Sequence, residues 1–478
     1  MEWLAATDYG WARFVLERGV AAVYVIAFLC AARQFRALLG SRGLTPIPAY
    51  LARRTFRTTP SVFHLHYSDR FFAVVCWCGV ALSAALVLGA ADAVPLPVAM
   101  LAWLVLWAGY LSIVNVGQLW YSFGWESLLL EVGSAMVFLG NADTAPPLLV
   151  LCAFWWLLFR VEFGAGLIKL RGDRCWRDLT CLHHHHETQP MPGPLSWFFH
   201  RLPGPLHRVE VAGNHVAQLV VPFGLFAPQP VASAAGAVVV VTQLWLVASG
   251  NFAWLNWLTI ILGLSAIDDG TVHRVTGLNA PAIGGEQPLW FAALSVAVAA
   301  LVAVLSVRPA RNLLSRRQRM NSTYDPLHLV NSYGAFGTVG RERHEIVFEG
   351  SPDDDGDDWR PYEFRGKPGD VRRLPRQCSP YHLRLDWLMW FAAISPSYAR
   401  PWMGRFCAAL LAGDEVTLKL LRGNPFPGAP PRRIRAVLYR YRFTTARELR
   451  RDRAWWHREP IGTYLAPVGA ADVARLVG

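Results

Sequence analysis

An α-helical polytopic membrane bundle of about eight or nine spans, followed by a C-terminal extramembrane α+β, β-rich domain, is the fold class that three observations predict. The first is composition: of 478 residues 53% are hydrophobic and only 17% charged, with 21 tryptophans, whereas a soluble chain carries nearer a quarter charged residues. The second is that apolar runs repeatedly approach the roughly 20 residues needed to cross a bilayer. The third is a composition shift near Arg308, beyond which the chain is polar, rich in Arg, Pro and Trp, and without an apolar run of spanning length. Expected domains are therefore 1–308, in the membrane with a large central loop at 170–213, and 309–478 outside it.

Candidate spans lie at 17–35, 70–91, 95–116, 125–140, 146–169, 214–228, 231–249, 252–267 and 289–307. Those at 125–140 and 214–228 are short, and 231–267 is nearly continuous. The first span is no cleavable leader, because its apolar part follows Glu17 and Arg18 and lacks a small-x-small cleavage pattern. Downstream, HEIVFEG (344–350) and IRAVLYRYRF (434–443) alternate like strands, while 383–394, 402–413 and 416–421 read as helices. The connectors at 351–358 and 423–433 are rich in turn residues.

The net charge of +12 is uneven. Arginines gather at 33–57, at 171–208 and at 308–319, three regions that nine spans place on one side. The positive-inside rule makes that side cytoplasmic. Charges spread along membrane edges anchor lipid headgroups and do not form a nucleic-acid surface, so the expected partners include membrane lipids and exclude nucleic acid.

Charges inside apolar runs each cost at least a few kcal/mol in hydrocarbon and need a partner or a cavity. Ser127, Glu131 and Ser134 share a helical stripe, and Glu126 sits near that helix's start, where its dipole favours a carboxylate. In the next span Glu162 and Lys169 share a face, about 10 Å apart along the axis, with Arg160 roughly opposite. Pairing Glu131 with Arg160 and turning Glu162 and Lys169 toward a common cavity is one arrangement; helix-to-helix glue is the other reading of all four. A partly buried Lys169 has its pKa lowered and can serve as a base. Asn251 and Asn256 are expected to hydrogen-bond across helices at membrane depth.

The loop after Lys169 is crowded with Arg171, Asp173, Cys175, Trp176, Arg177, Asp178, Cys181, a histidine run at 183–186, Glu187, Gln189 and Pro190. Cys175 and Cys181 share this loop, so a bridge between them is one possibility. Four adjacent histidines define no coordination geometry. The loop is read as a rigid docking element, with no metal and no cofactor assigned.

These residues carry a resemblance. FGAGLIKLRGDRCWRDLTCLHHHHETQPMPGPLSWFFHRLP, NHVAQLVVPFGLF and SGNFAWLNWLTIILGLSAIDD resemble the lipase maturation factor family, as do YDPLHLVNSYGAFGTVGRERHEIVFEG, WRPYEFRGKPGD, SPYHLRLDWLMWFAA and WWHREPIGTYLAP further on. The similar blocks run from about Trp120 to Pro467. The resemblance implies a polytopic, chaperone-like factor, more a maturation factor than an enzyme. Such a factor helps client lipases fold, assemble and leave in active form, and binds the client through its C-terminal region. Tyr324, Asp325, Tyr333, Arg384, Asp386 and Trp387 lie in those C-terminal blocks. The chain departs from the family in its run of histidines where the family has one, and in an Ala- and Arg-rich composition of bacterial kind. The expected location is the endoplasmic reticulum membrane in a eukaryote and the cytoplasmic membrane in a bacterium. The family places the C-terminal domain on the lumenal side, against the arginine count. A shorter match, Phe163 to Leu170 with Trp176 after it, is similar to the core of the vitamin K-dependent carboxylase group. It implies the alternative of a membrane enzyme acting on a lipid, quinone or peptide, with Lys169 as base. Client identity and oligomeric state are not legible in the sequence.

Overall fold

The structure, a computed structural model, describes residues 4–284, 286–354 and 358–477. Among the described residues six helices are long and apolar enough to cross a membrane: α1 (Gly10–Leu38), α2 (Asp69–Val87), α3 (Leu96–Val116), a later helix at Leu148–Arg171, another at Val231–Ser249 and a last at Leu289–Leu314. The remaining candidate spans form shorter pieces. Segment 125–140 becomes α4 (Gly124–Met136), about 20 Å long at 1.5 Å per residue and short of a roughly 30 Å hydrocarbon layer. After it comes α5 (Leu148–Arg171), then the small helix α6 (Leu182–Thr188) of the central loop. Segment 214–228 is the end of α7 (Gly204–Leu219) and a separate turn at Val221–Gly224. Pro222 cannot supply the N–H that would carry α7 through. The apolar stretch 231–267 divides into α8 (Val231–Ser249) and the ten-residue α9 (Leu255–Leu264), and α10 (Leu289–Leu305) completes the bundle.

The helix boundaries follow local chemistry. Ser68 caps α2 by accepting the Phe71 N–H at 3.1 Å, with Asp69 in the first turn, where a carboxylate meets the positive end of the dipole. α5 begins after Pro147 and ends on Lys169 and Arg171, the charge its C-terminal dipole favours. Of the spanning helices α1 and α5 are the most buried, while α2, α8 and α10 expose apolar faces. Trp77, Val241, Trp290 and Val304 stand on such faces, as side chains facing lipid would.

The C-terminal region holds a four-stranded antiparallel sheet, β1 (Arg343–Ser351), β2 (Arg360–Pro361), β3 (Arg433–Phe443) and β4 (Trp456–Val468), in the order β2-β1-β3-β4. β1 lies almost wholly buried, with Val347 opposite Val437 on β3. Helices α11 (Arg384–Ile394) and α12 (Met403–Leu411) form where 383–394 and 402–413 read as helical, while 416–421 supplies only the turn Glu415–Leu418. Residues 355–357 of the expected connector at 351–358 lie outside the described residues. A single buried apolar cluster runs from Tyr24, Tyr110 and Trp120 of the bundle into Trp387, Trp402 and Phe406, with the Trp120 and Trp402 rings 5.7 Å apart.

Candidate functional site

Four polar networks tie the apolar helices together, and three of them reach the C-terminal region. In the first, Arg160 of α5 pairs with Glu131 of α4 and donates to the Asn331 carbonyl at 2.6 Å. Glu131 Oε2 also accepts from the Asn331 N–H at 2.9 Å, its side-chain amide at 3.0 Å and the Tyr333 hydroxyl at 2.7 Å. The incoming segment lies so close that a Cβ on Gly164 would fall inside the Tyr333 carbonyl. Glycine is what lets the backbone approach. Glu131 is therefore shared between helix pairing and capture of residues 331–333.

The second network centres on Glu126, in the first turn of α4. Its Oε1 accepts from Arg384 Nη1 at 2.7 Å, and the Tyr110 hydroxyl donates to its Oε2. Arg384 also donates to the Trp120 carbonyl at 2.6 Å and lies 3.4 Å above the Tyr121 ring. Gln34 of α1 closes the cluster, donating to the His382 carbonyl at 2.7 Å and accepting the Arg384 N–H at 3.1 Å. Trp387 packs against Trp125 with ring centroids 4.8 Å apart. Asp386, on the same helix, faces away from this cluster and accepts the Gly366 N–H at 2.7 Å. Burial pushes its carboxyl up to about 6.

Third, Glu162 and Lys169 are bridged through amides. Gln218 donates to Glu162 at 3.1 Å and accepts from Lys169 at 2.8 Å. Lys169 donates also to Asn214 at 2.8 Å and sits 4.9 Å from the Trp176 ring centroid. Glu162 accepts from Gln243 at 2.6 Å, which in turn accepts from Asn256 at 2.6 Å. Asn256 thus bonds from α9 to α8. Asn251 does something other than the cross-helix bonding expected of it. It follows the end of α8 and clamps two loops, donating to the Pro192 and Arg376 carbonyls and accepting the Cys378 and Ser379 N–H groups.

Fourth, the central loop is docked on the C-terminal region. Cys175 and Cys181 form a disulfide. The Asp173 N–H donates to the Gly337 carbonyl at 2.8 Å, and its carboxylate caps Cys175 and pairs with Arg341 at 2.9 Å. Trp176 donates to the Phe336 carbonyl at 2.8 Å. Arg343, fully buried at the start of β1, donates to the carbonyls of Glu187, Gln189 and Pro190. Glu187 accepts the Phe443 N–H at 2.6 Å, and Gln189 donates to Ser249 of α8 at 2.8 Å. Arg171 and Arg177 satisfy the carbonyls of Leu313 and Leu170, and Arg174 with Asp178 makes an exposed pair. Tyr324 bonds Ser332 at 2.8 Å, and Asp325 caps the turn at Leu327.

Chemically these arrangements bind and orient chain segments. Every charge named in the apolar helices meets a partner of opposite charge or a carbonyl or amide group, as buried charges must.

The same two-part architecture emerges from comparison with known proteins. Residues 11–274 match the lipase maturation factor transmembrane domain, and residues 329–466 match the lipase maturation factor C-terminal domain. The chain belongs to the lipase maturation factor family. It is 41% identical to lipase maturation factor 1 of Bos taurus, over 98% of this chain and 91% of the relative. To the Homo sapiens protein of the same name it is 39% identical, over 96% and 88%. Lipase maturation factor 2 of Rattus norvegicus is 29% identical over 95% and 82%. No solved structure matches the chain.

Within this family member, several residues that hold the networks together escaped the sequence reading: Gln34, Gln218, Gln243, Asn331, Arg343 and His382. Gln34, Gln218 and Gln243 carried a usable signal, since an amide inside an apolar helix asks for a partner just as a charge does. Arg343 carried none, because one arginine among many in a polar region looks like any other.

Proposed function

We propose that this chain is a membrane-embedded maturation factor that assists the folding, assembly and export of client lipases, and that its C-terminal region and central loop act together as one client-facing body. Identity of about two-fifths over nearly the whole length of a protein named for lipase maturation is the observation that carries the first part. The dock of Glu187, Gln189 and Pro190 on Arg343 supports the second.

Lys169 fits the role of a fixed cation. Two of its N–H groups donate to side-chain carbonyls and an indole face lies 4.9 Å away, contacts that all favour the charged form over a neutral amine. The test is co-expression with a lipase in cells that lack their own factor. Secreted lipase activity should return with the wild-type chain and persist with Lys169→Met at equal accumulation. If wild type restores no member of a lipase panel, the proposal is wrong; if only Lys169→Met fails, the base reading returns.

Deleting 320–478 is a poor test of client contact. It would strip Asn331 and Tyr333 from Glu131 and Arg384 from Glu126, leaving two buried carboxylates short of partners. Changes on the exposed edge strand β4, such as Ile461→Lys, leave those networks intact. Loss of secretion at unchanged protein level is the expected result for a contact surface.

A further inference from the structure

We propose that His186, His207 and Glu210 form a zinc site that fastens the histidine helix α6 to α7. His207 and Glu210 are three apart on α7 and share one face, and His186 comes across from α6. One ligand atom from each lies within 4.8 Å of the other two. Glu210 Oε2 stands 3.7 Å from His186 Nε2 and 3.9 Å from His207 Nδ1, too far for hydrogen bonds. Donors held 2.0–2.1 Å from a tetrahedral ion stand about 3.4 Å apart, so small side-chain movements close the set.

The second observation is lack of satisfaction. The two histidine side chains are 2% exposed and Glu210 14%. Neither ring nitrogen of His186, nor His207 Nδ1, nor Glu210 Oε2 has a hydrogen-bond partner. Three such atoms, one from each residue, stand around one point, where buried polar atoms are nearly always paired, and a cation would satisfy all three together.

The carboxylate is also oriented from behind, as metal ligands are: Trp245 Nε1 donates to Glu210 Oε1 at 2.6 Å. Two imidazoles and one carboxylate suit zinc better than calcium or magnesium, which take oxygen sets. Cys175 and Cys181 are bonded to each other and offer no thiolate. Three protein ligands leave a fourth position for water. Because α6 leads directly into the Glu187–Pro190 segment held by Arg343, an ion here would stiffen the part of the loop that meets the C-terminal region.

The experiment uses the full chain, purified in detergent without a histidine tag and stripped with a chelator, then titrated with Zn2+ alone against a competing indicator. One ion per chain is expected, with a zinc-dependent rise in melting temperature. His207→Asn and Glu210→Gln keep the run at 183–186 but should lose tenfold or more in affinity, and Trp245→Phe about tenfold. Wild-type binding below a tenth of an ion per chain overturns the proposal. So does unchanged binding in both ligand variants, which would assign the ion to the histidine run alone. Should a ligand variant fail to accumulate, His207→Cys supplies a substitute ligand, and its Co2+ form must show thiolate-to-metal absorption; absence of that band refutes the site.

Discussion

Arg384 and Glu126 are both fully buried, and each has partners from more than one part of the chain. Removing one member of such a pair leaves an uncompensated charge, which typically costs 3–5 kcal/mol. Arg384→Ala and Glu126→Gln should therefore each lower the melting temperature of the purified protein sharply, and the double variant should lose less than the sum of the two. Additive losses would show that the pair is not coupled. Asp386 makes a different prediction. Its carboxyl is pushed by burial from 3.8 to about 6, so the folded state holds a proton that the unfolded chain releases between those values. Stability from this group is full below about pH 4 and is lost as pH rises through 6, on the order of 3 kcal/mol. Asp386→Asn should remove that slope from the melting temperature between pH 4 and 7; an unchanged slope would assign it elsewhere. Neither behaviour is legible in the sequence, because both depend on what the fold packs around the side chain. What was legible was the need: Glu126, Glu131, Arg160 and Glu162 could be marked as requiring partners from their cost in an apolar run alone.

At the level of elements, hydrophobic period separated strands from helices where it was clean. HEIVFEG and IRAVLYRYRF became β1 and β3, but WWHREPIGTYLAP became β4 without having been read as a strand. Its Pro460 and Gly462 are breakers that an edge strand tolerates, and the register shifts in its pairing with β3 scramble the alternation. Span length failed for a related reason. The runs at 125–140 and 252–267 are apolar because they are buried among protein, which composition does not distinguish from burial in lipid. The disulfide closes a short loop that positions Asp173 against Gly337 and Arg341, and closure of a loop this size contributes about 2 kcal/mol in the chain-entropy view. Cys175→Ala with Cys181→Ala should lower the melting temperature modestly and raise proteolytic cleavage within 171–192. Protection equal to wild type would mean that packing of Trp176 alone holds the loop.

For the molecule as a whole, the side of the membrane holding the C-terminal region turns on two opposed arguments. The arginine count favours the cytoplasm. Yet several of those arginines, though exposed, also hold backbone carbonyls of the fold, Arg171 that of Leu313, Arg201 those of Phe443 and Thr444, and Arg308 that of Tyr324, so headgroup contact is not their whole role. Disulfides persist in oxidising compartments, and the one here sits in a loop that touches β1 and β3 directly. We therefore propose that loop and C-terminal region share the non-cytoplasmic side, where a secreted client folds. Cys378 is a poor reporter of this, being half-buried with its thiol pushed by burial up to about 11 and so scarcely ionised at neutral pH. Ser397, exposed just beyond α11, is a better site. In intact cells if the chain lies in the plasma membrane, or in sealed microsomes opened selectively if it lies in an internal one, Ser397→Cys should react with an impermeant maleimide only from the non-cytoplasmic face. Labelling only from the cytoplasmic face would reverse the topology and separate this region from any client folding on the far side.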